Sequence, residues 1–321
     1  MKYPQACLRS SRVYSETSIE TMKKIIISIF TYLITTGLLS AEENLSTLIA
    51  AAEGGDAEAQ AKLAVCYGRG EGVEPDYKKA FEWAMKAAEQ GSAEGAFIVG
   101  GCYYQGKGVK VDKDAAIQYF EQAGLLGYTV AMMNLGSIYL NMMPPSYEKA
   151  RRWFKLAAEK GDAEAQNTLA KMYLGGIGGE QNMSKALIWF DKSAEQGYAD
   201  AEFELGNIYR KGIVVPKDLS KAESLYKRSF EHGYIGALNN LGTMYAEMSN
   251  EESAFKTFRH AAELGDVIGM MNVGIAYLKG KGVPRDVKQA REWFNKAEVH
   301  GYNFPPSLKA ELEAAEKESK K

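Results

Sequence analysis

A tyrosine returns at Tyr67, Tyr103, Tyr139, Tyr173, Tyr209, Tyr245 and Tyr277, and a glycine at Gly55, Gly91, Gly127, Gly161, Gly197, Gly233, Gly265 and Gly301. The tyrosine steps are 36 residues, with one of 34 and one of 32. A fixed period in this range marks stacked helical hairpins, each too small to bury its apolar face alone. Such arrays present a long surface to a partner rather than a pocket for chemistry. They also grow linearly, so the two-domain prior that 321 residues would suggest does not apply.

The repeats do not begin at the N-terminus. Met22-Lys23-Lys24 precedes an apolar run from Ile25 to Leu39, then Ser40-Ala41 and Glu42-Glu43. This reads as the basic, apolar and cleavage regions of a signal peptide over 22–41, cut after Ala41. The 15-residue apolar run is shorter than the ~20 residues a spanning helix needs. A periplasmic or secreted location is therefore expected, with an uncleaved inner-membrane anchor as the alternative. Residues 1–21 carry no apolar period and read as an extension from a start codon assigned too early. The cleaved chain keeps 34 basic and 39 acidic side chains, a net of −5, with no basic block of five. A nucleic-acid partner needs a concentrated cationic face, so none is expected. Neither is membrane insertion after cleavage.

The first repeat runs AEAQAKLAVCYGRGEGVEPDYKKAFEWAMKAAEQG from Ala57 to Gly91. Leu63, Ala64 and Tyr67 form one apolar stripe of a first helix, A. Its central residue is small throughout: Ala64, Gly100, Gly136, Ala170, Gly206, Gly242 and Gly274. Glycine there costs roughly 1 kcal/mol of helix propensity, so its recurrence implies close approach of a partner helix. The second helix, B, carries all four tryptophans (Trp83, Trp153, Trp189 and Trp293) at one repeat position. A large ring opposite a small residue suggests a knob in a hole, which places these tryptophans in the core. Asp76, Asp112, Asp218 and Asp286 fall where helix B needs an N-cap. Asp56, Ser92, Asp162 and Asp266 fall where the next helix A needs one, and the periodic glycines fit the helix C-terminus.

The pattern A-x-x-x-L-G-x-x-Y-x-x-G-x-G-V-x-x-D-x-x-K-A-x-x-W-[FY]-x-x-A-A-x-x-G resembles the Sel1-like repeat family, a relative of the tetratricopeptide repeats with a longer A–B loop. The resemblance implies an all-α fold, a right-handed α/α superhelical solenoid of seven hairpins over 57–301. Residues 42–56 would hold an N-terminal capping helix and 302–321 a C-terminal one. It also implies an adaptor or receptor role for other proteins. Three loops depart from the pattern. The third repeat has Asn141-Met-Met-Pro-Pro-Ser146, two residues short, and the sixth Glu247-Met-Ser-Asn-Glu-Glu252, four short. The fourth keeps its length but loses the valine. Ser249 with Glu252 suggests a capping box.

By analogy with the tetratricopeptide repeats, the fifth and twelfth residues of helix A would line a concave groove. The fifth are Ala61, Phe97, Met133, Asn167, Phe203, Asn239 and Met271; the twelfth include Tyr104, Leu140 and Arg210. The candidate partner-binding residues are thus Phe97, Tyr104, Met133, Leu140, Asn167, Phe203, Arg210, Asn239 and Met271. Phe97, Tyr104, Met133, Leu140 and Phe203 would form an exposed apolar strip. The alternative is that superhelical curvature buries this strip between repeats.

Catalytic and metal chemistry find little support. His232, His260 and His300 lack a metal-ligand neighbour at helical spacing and read as ordinary surface histidines. GKGVKVDKD near residue 106 lacks the phosphate-loop spacing and its Lys-Ser/Thr ending. No cofactor and no metal are expected. Cys7 lies outside the cleaved chain. Cys66 and Cys102 hold equivalent places in neighbouring repeats, roughly 8–10 Å apart by helix packing, where a disulfide wants about 7 Å. They read as two buried thiols, with a bridge left open as the alternative. Cysteine-rich relatives described as β-lactamases carry a regular cysteine pair in each repeat, which this chain lacks, so an enzyme is the weakest reading. The leading one is an exported monomeric scaffold that binds a protein partner. An immunity protein neutralising a secreted effector and a host-interacting virulence factor are its rivals.

Overall fold

The computed structural model describes residues 43–318. The signal-peptide reading, the 1–21 extension and Cys7 lie outside them. The described residues form sixteen α-helices and no strand, the architecture of an all-α repeat solenoid. The first, α1, is Glu43–Glu53. The helices A are α2 (Ala57–Arg69), α4 (Ala93–Gln105), α6 (Thr129–Asn141), α8 (Ala163–Gly175), α10 (Ala199–Lys211), α12 (Gly236–Glu247) and α14 (Val267–Lys279). The helices B are α3 (Tyr77–Glu89), α5 (Lys113–Leu125), α7 (Tyr147–Glu159), α9 (Met183–Glu195), α11 (Leu219–Glu231), α13 (Glu251–Glu263) and α15 (Val287–Val299). Helix α16, Pro306–Glu318, follows. The described residues divide into an N-terminal compact unit, 43–165 with 177–179, and a C-terminal one, 166–176 with 180–318.

The helix ends form where the sequence puts its caps. Asp76, Asp112, Asp218 and Asp286 accept from backbone N–H groups in the first turns of α3, α5, α11 and α15. Asp56, Ser92, Asp162 and Asp266 do the same for α2, α4, α8 and α14. Each such cap is worth about 1 kcal/mol. Ser249 makes no capping box. It adopts φ +59°, and Asn250 beside it caps α13 by accepting from the Ser253 N–H at 3.2 Å. A shortened loop has to turn sharply, so the bend falls on Ser249 and the cap moves one residue on.

One hydrogen bond closes every A–B loop. The N–H of the residue before helix B donates to the carbonyl of the periodic tyrosine: Asp76 to Tyr67, Asp112 to Tyr103, Ser146 to Tyr139, Asn182 to Tyr173, Asp218 to Tyr209, Asn250 to Tyr245 and Asp286 to Tyr277, at 2.8–3.0 Å. Gly108 shows why the loop glycines recur. Its φ is +72°, and a Cβ would strike the main chain of Tyr77 at the start of the preceding helix B.

The knob opposite the small helix-A residue is not the tryptophan but the residue after it. A Cβ at Gly100 would lie 2.7 Å from the Phe120 ring. Gly136 meets Phe154, Gly206 meets Tyr226, Gly242 meets Phe258 and Gly274 meets Phe294 in the same way. Phe120, Phe154, Phe190, Tyr226 and Phe294 are buried. Among the tryptophans only Trp153 is buried. Trp83, Trp189 and Trp293 are half-buried, each under a lysine one turn on: Lys86 at 3.9 Å, Lys192 at 4.5 Å and Lys296 at 3.9 Å from the ring centroid. A helix rotates about 100° per residue, so adjacent aromatics cannot both face helix A.

Candidate functional site

In the N-terminal unit, helices α2 and α4 run side by side and leave a small groove of about 80 Å³. Its walls include Val65, Ile98 and Phe97, and its floor carries two glycines, Gly68 and Gly101. An added Cβ at Gly101 would meet nothing within 4 Å, and one at Gly68 only the Ala80 methyl at 3.9 Å. These two glycines are unlike those of the hairpin seam, where a neighbouring ring fills the space. Gly68 stands where later repeats carry Tyr104, Leu140 or Leu174, and Gly101 where they carry Ser137, Lys171 or Asn207. The groove exists because two side chains are missing.

Arg69 and Glu94 stand on opposite walls. Arg69 Nη1 lies 2.8 Å from Glu71 Oε1, but its Nε and Nη2 are buried without an acceptor, and the side chain is only 12% exposed. Burial is the main cause holding the Glu94 carboxyl above its ordinary range, against the pull of Lys62. Cys102 also lines the groove as a buried free thiol, pushed up to about 11 by burial. Cys66 is likewise free and buried, and its pKa is raised by the same cause.

Of the residues expected at the surface, three are core. Phe97 is 5% exposed, wedged between the Phe120 and Tyr128 rings at 5.5 and 5.0 Å. Asn167 and Asn239 are 3% and 7% exposed. The reading of these three as partner-facing residues is corrected: close stacking of neighbouring helices A covers the fifth position there. Tyr104, Met133 and Leu140 are half-buried in the N-terminal unit, as are Phe203, Arg210 and Met271 in the C-terminal one. Tyr104 turns its ring to Phe120 at 6.5 Å, and Phe203 packs on Tyr226 and Tyr234 at 6.0 and 4.8 Å.

Part of the helix-A face of the C-terminal unit is polar. Lys171 Nζ lies 2.6 Å from Asp200 Oδ2 and 3.7 Å from Glu204 Oε1. Asn167 donates to Asp200 at 3.3 Å, and Asn239 to Asp266 at 2.8 Å. Asn207 Oδ1 accepts from Asn240 and the Tyr226 hydroxyl at 2.7 and 2.8 Å.

Sequence reasoning also missed a fully buried acid. Glu202 has Arg228 Nη2 2.7 Å from Oε1 and His232 Nδ1 2.7 Å from Oε2. His232 is thus a partner of a core carboxylate rather than an ordinary surface residue. The signal was available in the period. Gln60 with Gln90 and Gln166 with Gln196 are hydrogen-bonded at the same two repeat positions, so the Glu202–His232 pair replaces a glutamine pair. Among the described residues no group of three or more His, Cys, Asp or Glu side chains is placed to hold a metal ion, and no helix is long and apolar enough to cross a membrane.

Consecutive hairpins with a seam of small residues and a variable helix-A face define a helical-repeat interaction protein. Six segments match the Sel1 repeat: 57–92, 93–128, 129–162, 163–198, 199–234 and 267–298. The chain belongs to the Sel1 repeat family. The 235–266 segment between the fifth and sixth matches holds α12 and α13, the hairpin with the shortest loop. A Sel1 repeat protein from Oxalobacter formigenes is 29% identical with a TM-score of 0.65, over 94% of this chain and 88% of that one. A protective antigen of uropathogenic Escherichia coli with an SLR fold is 32% identical, with a TM-score of 0.49 over 78% and 62%. An F-box protein of Arabidopsis thaliana is 40% identical over 58 residues, so the chain spans only 16% of that relative's length. Sel1 repeats generally mediate protein–protein interaction, and the family is typically non-catalytic.

Proposed function

We propose that this chain is an exported scaffold that binds a protein partner on the helix-A side of its N-terminal unit. The observation that carries the reading is the α2–α4 groove, an apolar surface left open at positions where the repeat elsewhere supplies a side chain. Apolar surface held open to solvent on a rigid scaffold marks a partner site. The hairpin seams, by contrast, are filled and have nothing to offer. Export rests on the 22–41 segment and is tested by sequencing the N-terminus of the mature protein, expected to begin at Glu42. Partner binding is tested by photo-crosslinking in the native cell. A benzoylphenylalanine at Ile98, in the groove, should give one discrete adduct, and one at the exposed Ile188 of helix B none. Adducts from Ile188 alone would sink the proposal.

A further inference from the structure

Successive helices of the N-terminal unit run up and down, so its A–B connections lie at one edge and its B–A turns at the opposite edge. The two edges differ in chemistry. At the A–B edge Tyr77, Val111, Met142, Met143 and Tyr147 are exposed, Val111 by 58% and Met143 by 95%. Val111, Met142 and Met143 sit on the connections, and Tyr77 and Tyr147 open α3 and α7. Each connection rests on the hairpin before it. Gly108 packs on the main chain of Tyr77, with Lys107 Nζ 5.0 Å from the Tyr77 ring centroid, and Gly178 packs on Tyr147 in the same way. The exposed side chains therefore follow one another along the edge instead of lining a depression.

Charge separates the edges further. The first connection, 69–79, is balanced, with three bases and three acids. The second and third, 105–114 and 141–152, carry six bases and three acids. Of those acids, Asp112 is taken up by the N–H groups that open α5. Lys110, Lys113 and Arg152 are exposed and form no ion pair among the described residues. The B–A turns, 53–58, 89–94, 125–130 and 159–164, hold eight acids and a single base, Lys160. One edge of the unit is thus cationic with apolar tips, and the other is acidic.

We propose that the A–B edge of the N-terminal unit rests on the surface of an anionic phospholipid bilayer. Met143, Val111 and the two tyrosines sit at headgroup depth, and Lys110, Lys113 and Arg152 lie among the lipid phosphates. Apolar side chains spaced singly along an edge suit a flat, deformable surface, whereas a folded protein would need a pocket for each. Tyrosine is favoured at such an interface, and lysine and arginine are drawn to its negative potential. The acidic edge is then turned to water, which fixes the orientation of the unit. The entry of the chain agrees. The apolar run Ile25–Leu39 ends four residues before α1, and Leu45 of α1 lies against Gly72 of the first connection, so that run leads into the unit at this same edge. The contact is peripheral, and it is separate from the α2–α4 groove, which opens between helices A.

The test uses the full chain with vesicles of mixed phosphatidylglycerol and phosphatidylcholine, and of phosphatidylcholine alone. An environment-sensitive fluorescent amino acid replaces Met143 in one sample and Leu125, an exposed apolar residue of the acidic edge, in another. Anionic vesicles should blue-shift the emission at position 143 and leave position 125 unchanged, and neutral vesicles should shift position 143 far less. A cation near an anionic surface strengthens binding about five-fold. Lys110→Gln, Lys113→Gln and Arg152→Gln together should therefore weaken the partitioning read at position 143 on the order of a hundred-fold. These three side chains are exposed and unpaired, so the triple variant should melt with the parent by circular dichroism. Attachment through the 25–39 run alone would bind vesicles without moving the signal at position 143, and that result would overturn the proposal. So would an equal shift at position 125, or a triple variant that binds as before. A shift at position 143 caused by polyglutamate, or by rising protein concentration, but not by vesicles would also sink it, pointing to an acidic partner or to a second copy of the chain.

Discussion

At the fifth and ninth residues of helix A, the N-terminal unit carries Ala61, Val65, Phe97, Gly101, Met133 and Ser137, and the C-terminal unit Asn167, Lys171, Phe203, Asn207, Asn239, Thr243, Met271 and Ile275. The repeat positions are the same, but the polar side chains are concentrated in the C-terminal unit. In the first unit an apolar surface is left open to solvent, with two side chains absent from its floor. In the second, amides and charges on successive helices bond to one another, as in the Lys171–Asp200 and Asn239–Asp266 contacts. A repeat fold therefore fixes where residues face without fixing what they do. The N-terminal face spends its variable positions on vacancy, and the C-terminal face spends them on cross-links between neighbouring hairpins.

The sharpest way to break this comparison is at the fifth position itself. Phe97→Ala removes a buried ring and should cost about 3–5 kcal/mol. Asn167→Ala at the same position removes a hydrogen bond to Asp200 and should cost about 0.5–1.5 kcal/mol. Urea unfolding of the two variants reads the difference, and equal losses would show that the two faces are held alike. A second pair separates seam from groove within α4. Gly100→Ala drives a methyl into Phe120 and Ala116 and should destabilise by about 1–3 kcal/mol. Gly101→Ala, next to it, should stabilise by about 0.5–1 kcal/mol through helix propensity alone. A loss at Gly101 would mean the groove is filled.

In the C-terminal unit, Glu202→Ala should cost about 1–3 kcal/mol, because Arg228 and His232 lose their acceptor but remain half-exposed and reach water. Glu202→Gln should cost less than about 1 kcal/mol, since glutamine pairs already serve at Gln60–Gln90 and Gln166–Gln196. A large loss on Glu202→Gln would show that the charge, not the hydrogen bonds, matters. The smallest effect concerns Cys102. Burial holds its thiol protonated up to about 11, above the ordinary 9.0, so the folded protein keeps a proton the unfolded chain gives up. Labelling by a maleimide at pH 8 should therefore be slow when folded and fast in denaturant. Stability should fall as pH rises from about 9 through 11. Fast labelling of the native chain would contradict the burial.

The hairpins were legible because their signals are local. An aspartate before helix B or a glycine after it acts within one turn, and no distant contact overrides it. Two readings failed where neighbours decide. Trp153 and Phe154 are adjacent aromatics, and the period cannot say which of them faces Gly136; only the rotation of helix B does. Whether Phe97 is exposed depends on how closely α2, α4 and α6 stack, which no single repeat encodes. The groove escaped for a different reason, being made of missing side chains. Its trace in the sequence is two glycines, Gly68 and Gly101, that fall off the glycine period. The Glu202–His232 pair left a similar trace, visible only when the fourth residues of the helices A are compared with one another.

The tyrosine-carbonyl bond that closes each hairpin has a consequence for how such chains diversify. It ties the end of helix A to the start of helix B through main-chain atoms, and it holds across loops as unequal as Tyr67–Asp76 and Tyr245–Asn250. The staple is made by main-chain atoms at its two ends, and between them only the loop glycines, such as Gly108, must fit against the preceding helix B. Within that limit each A–B connection is a replaceable cassette, able to differ in length while the hairpin beneath it keeps its geometry. A scaffold assembled from such cassettes can acquire new recognition loops one at a time, without renegotiating its core.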